Sequence, residues 1–329
     1  MSDSPPETPS RTRRIARRLL ATYVVVTSAF VFLTLVDGES LWPLELLDAG
    51  THGLLAPAPV IALWAAARKR RRVTAAMGVV TLYLAFACGG WLLPDPSGPD
   101  DDRSELRVLT WNLGLGICDV DRVAAEVRAA APDVVMFQEA RIDQARALFE
   151  RLGEDLPHYE HFQDDRFSKA YLSRLEPTAV RFERPENGKN FVEIQVPVEG
   201  RSVSITSFHS NKAFAVFGRE WYGIDSLMDQ VRYTAARPHS LLVGDFNMTE
   251  RNAVYADVRD TGLIDSYREL HNGPGFTFPA FGRYRKLPLP PLVRIDYLWH
   301  TPDMRCLHIA RTDPADSDHR GVVGTFVFD

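Results

Sequence analysis

Polar residues end or interrupt a short apolar run at six places in this sequence, and together they could bind a metal ion and transfer protons. The clearest case is residues 241–247, where three apolar residues and Gly244 lead to Asp245 and Asn247. A turn in which Asp and Asn bond their own backbone would also explain this segment. Its repetition along the chain favours a functional site. The other groups are Asn112, Gln138 with Glu139, His209, Asp296, and Ser317 with Asp318 and His319.

These side chains form an oxygen-rich set if the ends of their strands meet at one edge of stacked sheets. Hard cations prefer carboxylate oxygens, amide oxygens and water, whereas zinc prefers more His or Cys. We therefore predict that Glu139, with Asn112 and Asp318, binds Mg²⁺ or Mn²⁺. Such an ion keeps several water molecules and binds its substrate through phosphate oxygens.

The same groups stand in the order found in a known family. The ordered set resembles the endonuclease/exonuclease/phosphatase superfamily, whose members are similar to DNase I, abasic-site endonucleases, sphingomyelinases and inositol-polyphosphate 5-phosphatases. The resemblance covers about residues 105–329 and implies a four-layered α/β sandwich that cleaves phosphoester bonds with a divalent metal. The motifs that carry it are Trp111-Asn112, Gln138-Glu139, Ser173-Arg174, His209, Gly244-Asp245-Phe246-Asn247, Ile295-Asp296-Tyr297 and Ser317-Asp318-His319.

The resemblance implies that Glu139 is the main metal ligand, with Asn112 beside it and Asp318 bound directly or through water. A solvated acid at a strand end is the alternative for Glu139. In many family members the run before Ser173 is rich in small residues, whereas this chain has Ser-Lys-Ala-Tyr-Leu at 168–172. Residues 113–116 also lack the polar groups that assist several relatives.

Catalytic roles follow from the same resemblance. His319 would activate the attacking water or hold the phosphate, and Asp296 would orient its imidazole and keep it basic. Asp245 would orient the nucleophile, and Asn247 would bind a phosphate oxygen. His209 would donate a hydrogen bond to the transition state, although a buried histidine bonded to the backbone is the alternative.

Short apolar runs alternate with helical patterns after residue 105, which predicts stacked sheets flanked by helices. Asp119 can cap a helix that Pro132 ends. Further helices are predicted at 143–152, 221–236 and 252–261. The predicted strands are 106–111, 134–137, 170–172, 191–198, 202–208, 241–243, 294–300, 304–311 and 321–328.

The first part of the chain has the composition of a membrane region. Residues 1–10 are predicted to be disordered, and the first 18 residues form a basic cytoplasmic terminus. Apolar runs at 19–36, 46–67 and 73–93 predict three transmembrane helices, although Pro57 and Pro59 interrupt the second. Residues 94–104, rich in Pro, Gly, Asp and Ser, form a linker to the catalytic domain at 105–329.

Charge around these runs predicts their orientation. Basic clusters precede the first run and follow the second at Arg68–Arg72, and such clusters stay on the cytoplasmic side. Three crossings then place the catalytic domain outside the cytoplasm, in an integral protein of the plasma or inner membrane. If only two runs cross, the domain lies in the cytoplasm. A hydrophobic soluble helical domain, or one re-entrant run, would also explain the composition.

Overall composition constrains partners and cofactors. The net charge is -5, which gives no general attraction to nucleic acid, so a polyanion would need a local patch or the metal. Cys88, Cys118 and Cys306 lack metal-ligand spacing, so we expect neither a disulfide framework nor structural zinc. The expected partners are the bilayer and a phosphoester substrate, and no obligate protein partner is evident.

Two aromatic segments are compatible with either of two substrates, nucleic acid or a phospholipid head group. Residues 276–293 combine aromatics and prolines with Arg283, Arg285 and Lys286, which could stack bases or rest at a membrane interface. An ordinary loop packed on the fold is the alternative. The second group is Phe214, Phe217, Trp221 and Tyr222. A catalytically silent binding or sensor module that keeps the fold is the rival to an enzyme.

Overall fold

The computed structural model describes residues 10–37, 42–96, 106–163, 168–183, 190–210, 224–280 and 291–328. The chain divides into two compact units, Met1–Gly90 and Trp91–Asp329. Most of the predicted disordered start and much of the predicted linker lie outside the described residues, as do the predicted aromatic group of Phe214, Phe217, Trp221 and Tyr222 and the basic trio of Arg283, Arg285 and Lys286.

The first unit is helical. Its helices are α1 (Arg11–Asp37), α2 (Trp42–Ala49), α3 (Thr51–Leu55), α4 (Ala58–Ala67) and α5 (Arg71–Cys88), and a 3₁₀ turn at Gly89–Leu92 follows. Two helical stretches, Arg11–Val36 and Arg71–Leu92, are long and apolar enough to cross a membrane. The structure divides the predicted second span into α2, α3 and α4, because Gly50 and Pro57 precede the starts of α3 and α4.

The first unit has apolar side chains both in its core and on its surface. Phe30, Leu55 and Met77 are buried in its core. Leu63 and Phe86 are 74% and 86% exposed, which suits helices surrounded by lipid. The crossing of a bilayer by these helices remains a prediction.

The second unit contains two six-stranded sheets. The first has the order β11-β12-β1-β2-β4-β3 and the second β5-β6-β7-β8-β10-β9. The strands are β1 (Leu106–Asn112), β2 (Val134–Gln138), β3 (His158–Gln163), β4 (Ser168–Ser173), β5 (Ala179–Glu183), β6 (Phe191–Val198), β7 (Arg201–His209), β8 (Ser240–Asp245), β9 (Ile264–Asp265), β10 (Asp296–His300), β11 (Met304–Arg311) and β12 (Val322–Phe328). The helices are α6 (Val120–Ala130), α7 (Ile142–Leu152), α8 (Ile224–Ala235), α9 (Ala253–Asp260) and α10 (Ser266–Leu270).

Three apolar layers hold this unit together. Met136, Ile205 and Leu298 belong to the core between the two sheets. A second cluster packs α6 and α7 on the first sheet, and a third packs α8 and α9 on the second. Central strands such as β2 and β8 are buried on both faces and therefore form nearly continuous apolar runs in the sequence. The predicted α/β sandwich of stacked sheets flanked by helices is confirmed.

The helix α6, which follows β1, begins and ends where the sequence predicts. The Asp119 side chain accepts hydrogen bonds from the backbone N–H groups of Asp121 (3.0 Å) and Arg122 (3.1 Å) and so caps α6. The helix ends at Ala130; Ala131, which caps it, is left-handed with φ 44°, and Pro132 follows. This short helix returns the chain to begin β2 parallel to β1.

A buried charge network fixes the start of β10. The Arg294 guanidinium contacts Asp265 Oδ2 at 2.5 Å and Glu250 Oε1 at 2.8 Å, and Tyr255 Oη donates to Asp265 Oδ2 at 2.8 Å. Burial alone would raise the pKa of Asp265. The charge and hydrogen bonds of Arg294, together with the hydrogen bond from Tyr255, outweigh burial and lower this pKa. These contacts fix the position of Arg294 and Ile295, the two residues that precede Asp296.

Replacing Arg294 by leucine leaves Asp265 buried and unpaired, so we expect a loss of about 3–5 kcal/mol in the free energy of unfolding. Because the pKa of Asp265 is lowered in the folded state, the contribution of the pair is complete above about pH 4 and is lost as the pH falls further. Urea denaturation of the full chain in detergent, followed by tryptophan fluorescence, measures both effects.

The matched control is Arg232→Leu, which breaks the exposed Arg232–Asp229 pair and should cost less than about 1 kcal/mol. Equal losses for the two variants would contradict a structural role for Arg294.

Candidate active site

The strand register brings the predicted polar residues to one edge of the sandwich. Asn112 pairs with Gln138 at the ends of parallel strands β1 and β2, and Glu139 follows. In the second sheet, Asp245 stands opposite both His209 and Asp296. The carboxyl ends of parallel strands and the amino end of antiparallel β10 therefore meet at the same rim.

Two carboxylates flank one imidazole at the centre of this rim. His319 Nδ1 lies 3.0 Å from Asp296 Oδ2, and His319 Nε2 lies 3.7 Å from Asp245 Oδ2. His209 Nε2 lies 3.5 Å from the same oxygen of Asp245. All four side chains are buried, so their charges act on one another in a medium of low dielectric constant.

The side-chain amide of Asn112 connects the first sheet to this cluster. Asn112 Nδ2 donates to Asp245 Oδ2 at 2.9 Å, and His209 Nε2 lies 3.6 Å from Glu139 Oε1. Ser317 Oγ donates to the backbone carbonyl of Asn112 at 2.7 Å and accepts from the N–H of His319 at 3.1 Å. These contacts connect residues of both sheets into one constellation.

Unusual backbone conformations direct several of these side chains. Glu139 has φ 51°, a strained conformation for a large residue, whereas Asn247 at φ 48° belongs to a type that tolerates it. Gly244 has φ 135°, and a Cβ there would lie 1.9 Å from the carbonyl oxygen of Phe208. Only glycine fits at this point, where β8 approaches β7 before Asp245.

Electrostatics in the cluster give its two central groups unusual proton affinities. Burial raises the pKa of Asp245 to about 7, and Asp296 adds to the increase while His319 opposes it. Burial alone would lower the pKa of His319, but the charges of Asp296 and Asp245 outweigh burial and raise it to about 10. At neutral pH, His319 is therefore a cation and Asp245 is poised to exchange a proton.

The residues predicted as metal ligands offer oxygens beside this cluster. Asp318 Oδ1 is buried and has no hydrogen-bond partner among the described residues, as expected of an atom that awaits a cation. The Glu139 side chain is 12% exposed. Asn112 Oδ1 accepts only one hydrogen bond of those described, from the N–H of Gly114 at 2.9 Å, so it keeps a lone pair. This donor set fits a hard divalent ion.

A second possible set of metal ligands overlaps the proton-transfer groups. Asp245, Asp296 and His319 each place one ligand atom within 4.8 Å of the other two. In this set, however, His319 Nδ1 faces Asp296 in an ion pair. Hard cations prefer oxygen ligands, so the oxygens of Glu139, Asp318 and Asn112 fit such an ion better than a set that includes an imidazole nitrogen.

Three other predicted features have distinct positions. The backbone N–H of Asn247 donates to Asp245 Oδ1 at 2.9 Å, and its Nδ2 donates to the carbonyl of Ser210 at 3.2 Å. Lys169 is buried, and its Nζ donates to the carbonyl of Asn190 at 2.7 Å. Arg174 lies at the opposite edge, where it pairs with Asp133 at 3.1 Å. The Ser173-Arg174 motif is therefore remote from the rim.

Several supporting residues were not predicted. Ser207 Oγ accepts from Gln138 Nε2 at 2.9 Å and so links the two sheets below the rim. Thr277 Oγ1 accepts from the N–H of Asp296 at 3.4 Å, and the Phe278 ring lies 4.7 Å from the His319 ring, centroid to centroid. The alternating polar residues of β7 were a signal for Ser207, but nothing local in the sequence pairs residues 277 and 278 with the site.

Comparisons with known proteins show the family and agree with this fold. A family profile described as "Endonuclease/Exonuclease/phosphatase family" matches residues 109–319. Among solved structures, an endonuclease/exonuclease/phosphatase from Beutenbergia cavernae DSM 12333 is similar with 22% identity and a TM-score of 0.54, covering 69% of this chain and 72% of that chain. A family protein from Leptotrichia buccalis C-1013-b has 18% identity and a TM-score of 0.54, covering 68% and 100%.

D. rerio TDP2, solved in complex with a single-strand DNA product, has 19% identity and a TM-score of 0.53, covering 68% of this chain and 98% of that chain. No curated protein matched the sequence. The fold is thus DNase I-like, of the class whose members are hydrolases that act on phosphoester bonds. The chain belongs to the endonuclease/exonuclease/phosphatase family.

Gly244→Ala should destabilise the protein by about 3 kcal/mol or more, because the new Cβ meets the carbonyl of Phe208 and the residue keeps a positive φ. Gly200→Ala is the matched control, since Gly200 has φ 79° with open space around it and should lose only about 1 kcal/mol. Urea denaturation measures both. Losses of the same size would show that close approach of β7 and β8 is not what selects glycine.

Proposed function

We propose that this protein is a membrane-bound, divalent-metal-dependent hydrolase of phosphodiester bonds. The observation that carries the proposal is the buried constellation in which Asp245 contacts Asn112, His209 and His319 at one rim. Acids, amides and imidazoles gathered around one point can bind a phosphate and move a proton at the same time.

The metal would be held by Glu139, Asp318 and Asn112. When bound, Mg²⁺ or Mn²⁺ would neutralise charge on the phosphate and lower the pKa of a bound water. The buried Asp318 Oδ1 and the strained backbone at Glu139 support this assignment, since both features cost stability without an ion to compensate.

Asp245 is the best candidate for the general base. A base works most effectively when its pKa is close to the working pH, and the pKa of Asp245 is raised to about 7. Asn112 Nδ2 and the N–H of Asn247 fix both carboxylate oxygens, one each, at 2.9 Å. Asp245 would therefore orient the attacking water and accept its proton.

His319 is better suited to hold the phosphate than to activate the water. Its pKa is raised to about 10, so the imidazole is protonated at neutral pH and can donate from Nε2 while Asp296 occupies Nδ1. His209, with its Nε2 between Asp245 and Glu139, would donate to the developing charge of the transition state. One hydrogen of Asn247 Nδ2 goes to Ser210, and the other would go to a phosphate oxygen.

The catalytic domain would lie outside the cytoplasm. The two long apolar helices support attachment to a membrane. Basic clusters stand before the first predicted span and after the second, which favours three crossings with the amino terminus inside. The substrate would then be a phosphodiester of nucleic acid or of a phospholipid head group. A silent binding module is the rival, and an activity measurement separates the two.

Removal of the metal or of its main ligand should abolish activity. With Mg²⁺ or Mn²⁺, the full chain in detergent should hydrolyse a bis-aryl phosphodiester, and EDTA or Glu139→Gln should reduce the rate by about two orders of magnitude or more. The exposed Glu150→Gln is the matched control and should keep the wild-type rate. No turnover with any divalent ion would favour the silent module.

The pH profile should identify the proton-transfer pair. The value of kcat/KM should fall below pH about 7, where Asp245 becomes protonated, and again above pH about 10, where His319 loses its proton. The negative charge of Asp296 raises both pKa values, so Asp296→Asn should move both limbs to lower pH. The exposed Asp229→Asn is the control. If both limbs of the kcat/KM profile keep their wild-type pH values in Asp296→Asn, Asp245 and His319 are not the proton-transfer pair.

Fusion proteins test the location. Alkaline phosphatase fused after Asp329 should be active, because that reporter folds only outside the cytoplasm of a bacterial cell. A reporter that needs the cytoplasm should be inactive at the same position. The reverse pattern would place the catalytic domain inside and would indicate only two crossings.

A further inference from the structure

Three large aliphatic side chains lie exposed beside the metal-ligand residues. Leu115 is 53% exposed, Ile117 is 45% exposed and Ile142 is 49% exposed. Leu115 and Ile117 belong to the turn that follows β1, and Ile142 is the first residue of α7. A Cβ on Gly116 would lie 3.0 Å from Arg141 Cδ, so the turn and the start of α7 are in contact. We call Leu115, Ile117 and Ile142 the apolar lip.

The turn that carries Leu115 and Ile117 lies against all three residues assigned to the metal. The N–H of Gly114 donates to Asn112 Oδ1 at 2.9 Å, and the N–H of Leu115 donates to the carbonyl of Glu139 at 3.1 Å. A Cβ on Gly114 would lie 2.8 Å from Asp318 Oδ1. The turn that carries Leu115 and Ile117 therefore borders the proposed metal site.

The backbone of residues 114–116, which carries Leu115, has positive φ values that cost stability at a leucine. Gly114, Leu115 and Gly116 have φ values of 68°, 51° and 106°. Glycine adopts such conformations freely, but leucine does not, and Leu115 recovers little of that cost because more than half of it is exposed. Exposed apolar groups held in a strained turn beside a catalytic rim indicate a binding surface for an apolar partner.

The chemistry of the lip favours lipid over nucleic acid. Its side chains are aliphatic, and bases of single strands stack on aromatic rings. Arg141, beside the lip, and Arg122, near the start of α6, are already paired with carboxylates. Arg141 bonds both oxygens of Asp143 at 3.0 Å, and Arg122 bonds Asp313 at 2.7 Å and Asp316 at 2.9 Å. Such pairs give little attraction to a phosphate backbone, which needs uncompensated cations.

We propose that the apolar lip enters the acyl-chain boundary of a phospholipid surface and so brings a lipid head group to the metal site. The proposal rests on the function proposed above and names the substrate class for it. The two apolar helices elsewhere in the chain supply the reason for a bilayer to be the available apolar phase. Exposed aliphatic area adds directly to the affinity for such an interface.

The test uses the full chain in nanodiscs of phosphatidylcholine and phosphatidylglycerol. The variant combines Leu115→Asn, Ile117→Ser and Ile142→Ser, with asparagine chosen because it tolerates positive φ. Val180→Ser is the control, since Val180 is 39% exposed on β5, an edge strand of the other sheet. Rates are measured on the phospholipids, on a soluble bis-aryl phosphodiester and on single-stranded DNA.

The triple variant should lower the ratio of lipid rate to soluble-substrate rate by about tenfold, because apolar contact area with the lipid is lost. The control should keep the wild-type ratio. An unchanged ratio, or wild-type protein that hydrolyses DNA but not phospholipid, would overturn the proposal. Failure on every substrate would instead count against the proposed function.

A second measurement does not depend on activity. Phosphatidylcholine that carries a photoreactive group in its acyl chain is included in the nanodiscs, and the labelled peptides are identified by mass spectrometry. Peptides with residues 113–118 and 142 should be labelled, and a peptide with residues 179–183 should not. Absence of label at the lip, with label present on the apolar helices, would overturn the proposal even if the enzyme were active.

Discussion

The buried carboxylate of Asp245 is the interaction on which the site depends. It accepts a hydrogen bond from Asn112 of the first sheet and lies within 3.7 Å of His209 and His319. A carboxylate without solvent is stable only when such partners surround it. The Asp245 carboxylate therefore connects the two sheets at the rim. The same carboxylate is the proposed proton acceptor, so one side chain contributes both to the packing of the sandwich and to the proposed chemistry.

Much of the fold could be predicted because local signals and tertiary packing agree. Apolar runs marked the central strands, and Asp119 and Pro132 marked the ends of α6. The strands β3 and β5 were missed, because their partly exposed residues do not form an apolar run. The predicted second membrane helix was interrupted at Gly50 and Pro57, whose effect on the backbone outweighs the apolar composition around them.

For the candidate site, the sequence predicted the groups that end strands but not the groups that support them. Asn112, His209, Asp245, Asp296 and His319 converge because the register of a sandwich brings strand ends to one rim. The proton affinities of Asp245 and His319 could not be predicted, since they depend on burial and on distances that only the folded chain defines. The apolar lip was also missed, because the exposure of a leucine or isoleucine is not visible in the sequence.

The central claim is that a hard cation binds the oxygens of Glu139, Asp318 and Asn112 beside the Asp245 cluster. Anomalous diffraction from crystals of the full chain grown with Mn²⁺ tests it most directly. We expect a single strong peak about 2 Å from a Glu139 carboxylate oxygen, with Asp318 or Asn112 as a further ligand or linked to the ion through water. A peak among Asp245, Asp296 and His319 instead, or no peak at this rim, would contradict it.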